Sequence, residues 1–122
     1  MAYASTRSDR NFIMVDVHSN AMFAPNPLVY FDPDRASVRD IDFSGFGYLE
    51  FIDFLERLTR MRCKDVYFCL PQDSLSQGIR ILNNNGDYKE FVDMAYVNGK
   101  RMNVYVDHHN EPIFDWIEDE EI

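Results

Sequence analysis

Asp107, His108, His109 and Glu111 fall within five consecutive residues, and imidazoles beside carboxylates are the raw material of a metal centre. Adjacent histidines on an extended chain point to opposite sides, so His108 and His109 cannot face one ion without a turn. The pattern therefore predicts a solvated strand end. His18 stands at another expected strand end and joins no cluster. Cys63 and Cys69 match no zinc-module spacing, and no second pair exists. Cys69 alternates with Phe68 and Leu70 in a strand pattern, as a buried thiol would. No serine sits in a nucleophile-elbow signature. Gly45-Phe46-Gly47 is explained by helix entry better than by a phosphate loop. The expectation is no catalytic residue, no cofactor and no metal ligand.

Composition narrows the classes further. With 122 residues, 46% of them hydrophobic and 15% aromatic, the chain can bury one domain core. Its formal charge of −9 repels phosphate, and its densest basic group, Arg57, Arg60 and Arg62, is interleaved with acids. Direct nucleic-acid binding is not expected, nor is a small-molecule ligand. The first ten residues do not resemble a signal peptide, and no apolar run is long enough to span a bilayer. An intracellular setting with free thiols follows as the expectation.

The elements that must position any site are read from periodicity. Residues 46–62 form the main amphipathic helix: Tyr48, Phe51, Ile52, Leu55 and Leu58 share one face, widened by Phe54 and Met61. Glu50, Asp53, Glu56, Arg57 and Arg60 take the other, so Glu56 should tolerate replacement. Gly47 is the expected N-cap, with Phe46 and Phe51 as a hydrophobic staple. Residues 12–18 alternate as a strand, with Ile13, Val15 and Val17 on one side and Phe12, Met14 and Asp16 on the other. Residues 19–27 read as a long loop, 28–31 as a short strand that 38–43 extends or resumes, and 65–70 as a strand ended by Pro71. Residues 72–77 read as a polar loop and 78–82 as a strand. A second helix starts near Asn85, carries Tyr88, Phe91, Val92 and Ala95, and closes at Asn98-Gly99. Residues 102–107 are the last strand. Residues 1–10 read as a disordered leader, 11–109 as one domain, and 110–122 as an acidic tail or linker start.

This order, ββαββαβ, predicts an α+β, β-grasp (ubiquitin-like) roll. The first and last strands would pair in parallel at the centre of a mixed sheet, with the main helix across one face. A ferredoxin-like sandwich would need a helix directly after the first strand.

Three segments add a family likeness: Asp40-Ile41-Asp42-Phe43-Ser44 before the main helix; Pro71, Leu75, Gly78-Ile79-Arg80-Ile81-Leu82 and Asp87 after it; and Asn103-Val104-Tyr105-Val106-Asp107-His108 at the end. Together, over about residues 12–109, they resemble the PB-one-like (Phox/Bem-type) domain at the N-terminus of plant Mutator-type (MuDR) transposases and transposase-derived proteins. The resemblance implies a nuclear, non-catalytic protein–protein interaction module that associates with itself or with a partner. In related domains an acidic cluster meets a first-strand lysine of another copy. Here the acids are Asp73, Asp87, Glu90 and Asp93, and the first strand has no lysine. Arg80, Lys100 and Arg101 are the remaining cations for that role.

An apolar contact is the expected alternative to charge pairing. It would use the sheet's outer face, with Phe12, Met14, Tyr67 and Tyr105, or the edge at 28–31, with Tyr30. The rival functions are a ubiquitin-like adaptor and, resting on His108 and His109 alone, a small metal-binding enzyme fragment. A conjugated modifier would end in Gly-Gly, and this chain ends Glu120-Glu121-Ile122.

Overall fold

A computed structural model describes residues 12–39 and 41–120, and the segment read as a leader lies outside them. The chain is α+β, with a mixed five-stranded sheet and several helices, an arrangement compatible with a ubiquitin-like fold. Strands β1 (Met14–Ser19), β2 (Met22–Ala24), β3 (Val29–Phe31) and β4 (Asp34–Val38) come first. Helix α1 (Tyr48–Thr59), strand β5 (Asp65–Cys69), helix α2 (Leu75–Gly78) and strand β6 (Arg80–Ile81) follow. Helix α3 (Asn85–Val97), strand β7 (Arg101–Asp107) and helix α4 (Ile113–Glu120) complete the chain. The main sheet runs β4-β1-β7-β5-β6, and β2 and β3 form a separate two-stranded ribbon.

The central pair is parallel, with Val15 opposite Met102 and Val17 opposite Val104. Both strands alternate, so Val15, Val17, Met102, Val104 and Val106 enter one core beneath α1 and α3. Phe51 and Leu55 of α1 are fully buried there, while Tyr48, Ile52 and Phe54 pack at its margin. Burying each large apolar side chain contributes roughly 1.5–3 kcal/mol, which anchors the helix across the sheet. Leu58 and Met61, counted in the same stripe, are exposed, Leu58 in the last turn and Met61 beyond the end of the helix at Thr59, which does not continue to Arg62. Arg60 adopts a left-handed conformation that stops it.

The entry to α1 follows local chemistry. The Gly47 amide donates to Glu50 Oε1 at 2.8 Å, an acid in the first turn satisfying an otherwise unpaired donor. Phe46 and Phe51, expected to staple, lie with the same core cluster. Both pack edge-on against Phe43, which lies in a 3₁₀ turn, Phe43–Gly45, capped by Asp42. Of the strand expected at 38–43, Val38 ends β4 and Phe43 opens that turn. The edge strand is β4 instead, antiparallel to β1.

Glu56 is not the idle surface residue its helix position suggested. Its carboxylate accepts from the Cys63 amide at 3.0 Å and ties the chain leaving α1 back to the helix.

Four further expectations change. Residues 28–31 do not join the main sheet; Val29–Phe31 pairs with Met22–Ala24, part of the segment read as a long loop. The Pro25-Asn26-Pro27 turn closes that hairpin, so its prolines mark the connection and not the whole stretch. The polar loop at 72–77 gives way to α2 from Leu75, and the strand expected at 78–82 shrinks to Arg80–Ile81. The ββαββαβ series thus lacks β2, β4, α2 and α4. Finally, the segment read as an acidic tail contains α4, whose Ile113 is 1% exposed.

Candidate functional site

The second face of the sheet is where the structure departs most from expectation. Tyr67, Cys69 and Tyr105 point away from α1, and the ribbon, α2 and α4 cover them. Phe23 of β2 packs on Tyr30, Tyr67 and Tyr105 with ring centroids 4.7, 5.8 and 6.3 Å away. The Tyr30 hydroxyl donates to the Val106 carbonyl of the central strand. Ile113, Trp116 and Ile117 of α4 close the other side. Ser76 donates to the Glu120 carboxylate at 2.8 Å, fastening α4 to α2, and the Phe23 amide donates to Glu111 Oε1 at 3.0 Å, tying the segment before α4 to the ribbon.

Tyr30, Tyr67 and Tyr105 are therefore core residues, not an exposed aromatic surface, because the chain covers its own sheet. Burial pushes the Tyr30 and Tyr105 hydroxyls up to about 12 and raises Tyr67 as well. Phe12 and Met14 are half-buried at the start of β1. The exposed aromatic face assumed for the sheet is replaced by the outside of the ribbon. There Met22 lies opposite Phe31 and Ala24 opposite Val29. Alternation puts Phe23 and Tyr30 into the core and leaves Met22, Val29 and Phe31 outside, 55%, 39% and 72% exposed.

The acids proposed for charge pairing are occupied locally. Glu90 meets Arg80 at 3.3 Å, and Asp93 meets Lys89 at 2.9 Å. Asp87 accepts from the Asn83 amide at 3.1 Å at the start of α3, where Asn84 caps the Asp87 amide in return. The Asp73 side chain lies against Gly78, so close that a Cβ there would sit 2.6 Å from the Asp73 Cβ. Of the cations, Arg101 reaches Asp16 at 3.4 Å, and Lys100 is half-buried in the turn after α3.

The His/acid constellation is a structural turn. Asp107 is fully buried and accepts from the amides of His109 and Glu111 at 2.7 and 2.8 Å. His108 Nδ1 lies 2.8 Å from the Arg62 carbonyl, and the two histidine rings stand nearly perpendicular. Among the described residues no group of three or more His, Cys, Asp or Glu is placed to hold a metal ion. Both cysteines are free thiols. Burial raises Cys63 to about 12 and Cys69 to about 11, so neither has thiolate character near neutral pH.

One site was not legible as a cluster. His18 lies flat on the Tyr105 ring, 4.6 Å away and tilted by 14°. It faces Arg35 across the β1–β4 pair and is 8% exposed. Its Nε2 has no hydrogen-bond partner among the described residues. An orphaned polar atom of this kind costs about 1–3 kcal/mol, and it calls for an explanation. Burial also lowers the pKa of His18 and keeps the ring neutral.

No family model matches the chain, and no curated protein matches it. No helix among the described residues is long and apolar enough to cross a membrane.

Proposed function

We propose that this chain is a non-catalytic protein–protein interaction module that associates with a second copy of itself through the outer face of the β2–β3 ribbon. The observation that carries this reading is the cross-strand pair Met22 and Phe31, more than half exposed on a ribbon whose other side buries Phe23 and Tyr30 in the second core. Soluble domains seldom leave large apolar side chains grouped in this way without a use. The charge route is weaker. The Glu90 and Asp93 carboxylates already have partners within the chain, and exposed ion pairs contribute only about 0–1 kcal/mol each.

A ribbon face can meet its own copy about a two-fold axis, each Phe31 seated beside the partner's Met22. Three side chains fall short of the roughly 800 Å² per partner of a standard interface, so the pairing is weak and concentration-dependent. The resemblance to the PB-one-like domains of plant MuDR transposases supports the same class of function, and with it a nuclear, transposase-derived parent. Dilution tests the proposal: amide NMR shifts of Met22, Val29 and Phe31 should move between millimolar and micromolar protein, while those of α3 stay fixed. Shifts confined to α3 and β6 would overturn the ribbon contact in favour of the charged surface.

A further inference from the structure

A cavity of about 370 Å³ opens between the ribbon, β4 and α2, lined by His18, Leu28, Tyr30, Arg35, Leu75 and Tyr105. Its walls combine apolar side chains with two nitrogen groups. One is the imidazole of His18, more than nine-tenths buried, whose Nε2 lacks a partner among the described residues. The other is the Arg35 guanidinium, directly opposite His18 in the strand register and pairing with no carboxylate among the described residues. The nearest acid on this face, Asp16, is already engaged by Arg101 and by the Ser37 hydroxyl.

We propose that this cavity binds a small monocarboxylic acid with an aromatic or branched apolar body. Its carboxylate would lie between the Arg35 guanidinium and His18 Nε2, with the imidazole, whose side chain also hydrogen-bonds Asn103, in the tautomer that carries its proton on Nε2, and its body on Leu28, Leu75 and the Tyr105 ring. Three features select this chemistry. A guanidinium offers parallel donors that match a carboxylate, and the imidazole adds one more. A single cation opposite a neutral imidazole balances one negative charge, and a chain of net charge −9 opposes a dianion. The remaining wall is apolar and of a volume that suits a small organic molecule rather than a bare ion. The site shares Val29 with the face proposed for self-association; small-molecule binding there goes beyond that reading and departs from the expectation of no small-molecule ligand.

The test is an NMR titration of the whole chain at pH 7.5 with phenylacetate, following the His18 imidazole and the Arg35 side-chain resonances. Both should shift and saturate below roughly 10 mM, a weak affinity for a ligand of this size. Phenylacetamide, the same shape without the charge, should bind at least tenfold more weakly. Arg35→Gln, at an exposed strand position, should weaken phenylacetate by a similar factor while the other amide resonances hold their places. The proposal is overturned if no saturable shift is seen, if the amide binds as well as the acid, or if Arg35→Gln leaves binding intact. Inorganic phosphate moving the same resonances as strongly as phenylacetate would also overturn it, by showing general anion attraction only.

Discussion

Phe23 and Met22 are neighbours on one three-residue strand, yet the structure gives them opposite fates. Phe23 is 3% exposed and touches three tyrosine rings of the second core, whereas Met22 faces outward. Phe23→Ala removes the ring that joins the ribbon to the sheet. Truncating a buried phenylalanine costs about 3–5 kcal/mol, through lost transfer energy and the cavity left behind. For a chain of this length each kcal/mol lowers the melting temperature by roughly 4 °C, so a fall of about 12–20 °C is expected. The total stability of a small domain is only about 5–15 kcal/mol, which makes this a large fraction. Met22→Ala should stay within about 0.5 kcal/mol, the usual range for a surface change. Urea unfolding of both variants reads the difference directly, provided the slope with denaturant is unchanged. If Phe23→Ala costs no more than Met22→Ala, the ribbon does not pack on the sheet and the second core is wrongly placed.

Leu55→Ala, at a fully buried position of α1, should cost about 2–5 kcal/mol by thermal unfolding, and Glu56→Ala about 1 kcal/mol through the lost bond to the Cys63 amide. Tyr30 and Tyr105 have hydroxyls raised from 10 to about 12 by burial. A raised folded-state pKa contributes stability that is complete below pH 10 and is lost as pH rises toward 12. Residue-resolved NMR titration of the Tyr30 and Tyr105 rings and far-ultraviolet circular dichroism should therefore change together above pH 10; ionisation of either ring with the fold intact would contradict their burial. The chain should not bind duplex DNA at physiological salt, because its charge opposes counterion release. A gel shift at micromolar protein with a steep salt dependence would refute this.

Long periodic segments were legible in the sequence. Val15 and Val17 of β1, Val104 and Val106 of β7, and Phe51 and Leu55 of α1 announced their faces by alternation or by helical spacing, and they meet in one core. The second core was hidden for three physical reasons. Strands of three residues give too little alternation to separate β2 and β3 from a proline-rich loop. The acids of α4 mask Ile113, Trp116 and Ile117, which nevertheless recur at helical spacing and could have revealed the helix. Alternation shows which residues share a sheet face but not whether the chain later covers it. Tyr67 and Tyr105 were therefore read as exposed, and the pairing of His18 with Arg35 depended on the register of an edge strand expected elsewhere. The exposed Met22 and Phe31 could have been found only once β2 was recognised as a strand.

Sedimentation equilibrium in 0.05 M and 0.5 M sodium chloride, on the natural chain and on Phe31→Ser, tests self-association through the ribbon most directly. An apolar contact persists when roughly half-molar salt shortens the Debye length below about 5 Å, and it weakens when the exposed ring is removed. The account predicts a concentration-dependent dimer of equal strength in both salts that Phe31→Ser reduces at least tenfold without altering the melting temperature. A chain that stays monomeric at millimolar concentration, a dimer that dissociates in high salt, or one indifferent to Phe31→Ser would contradict it.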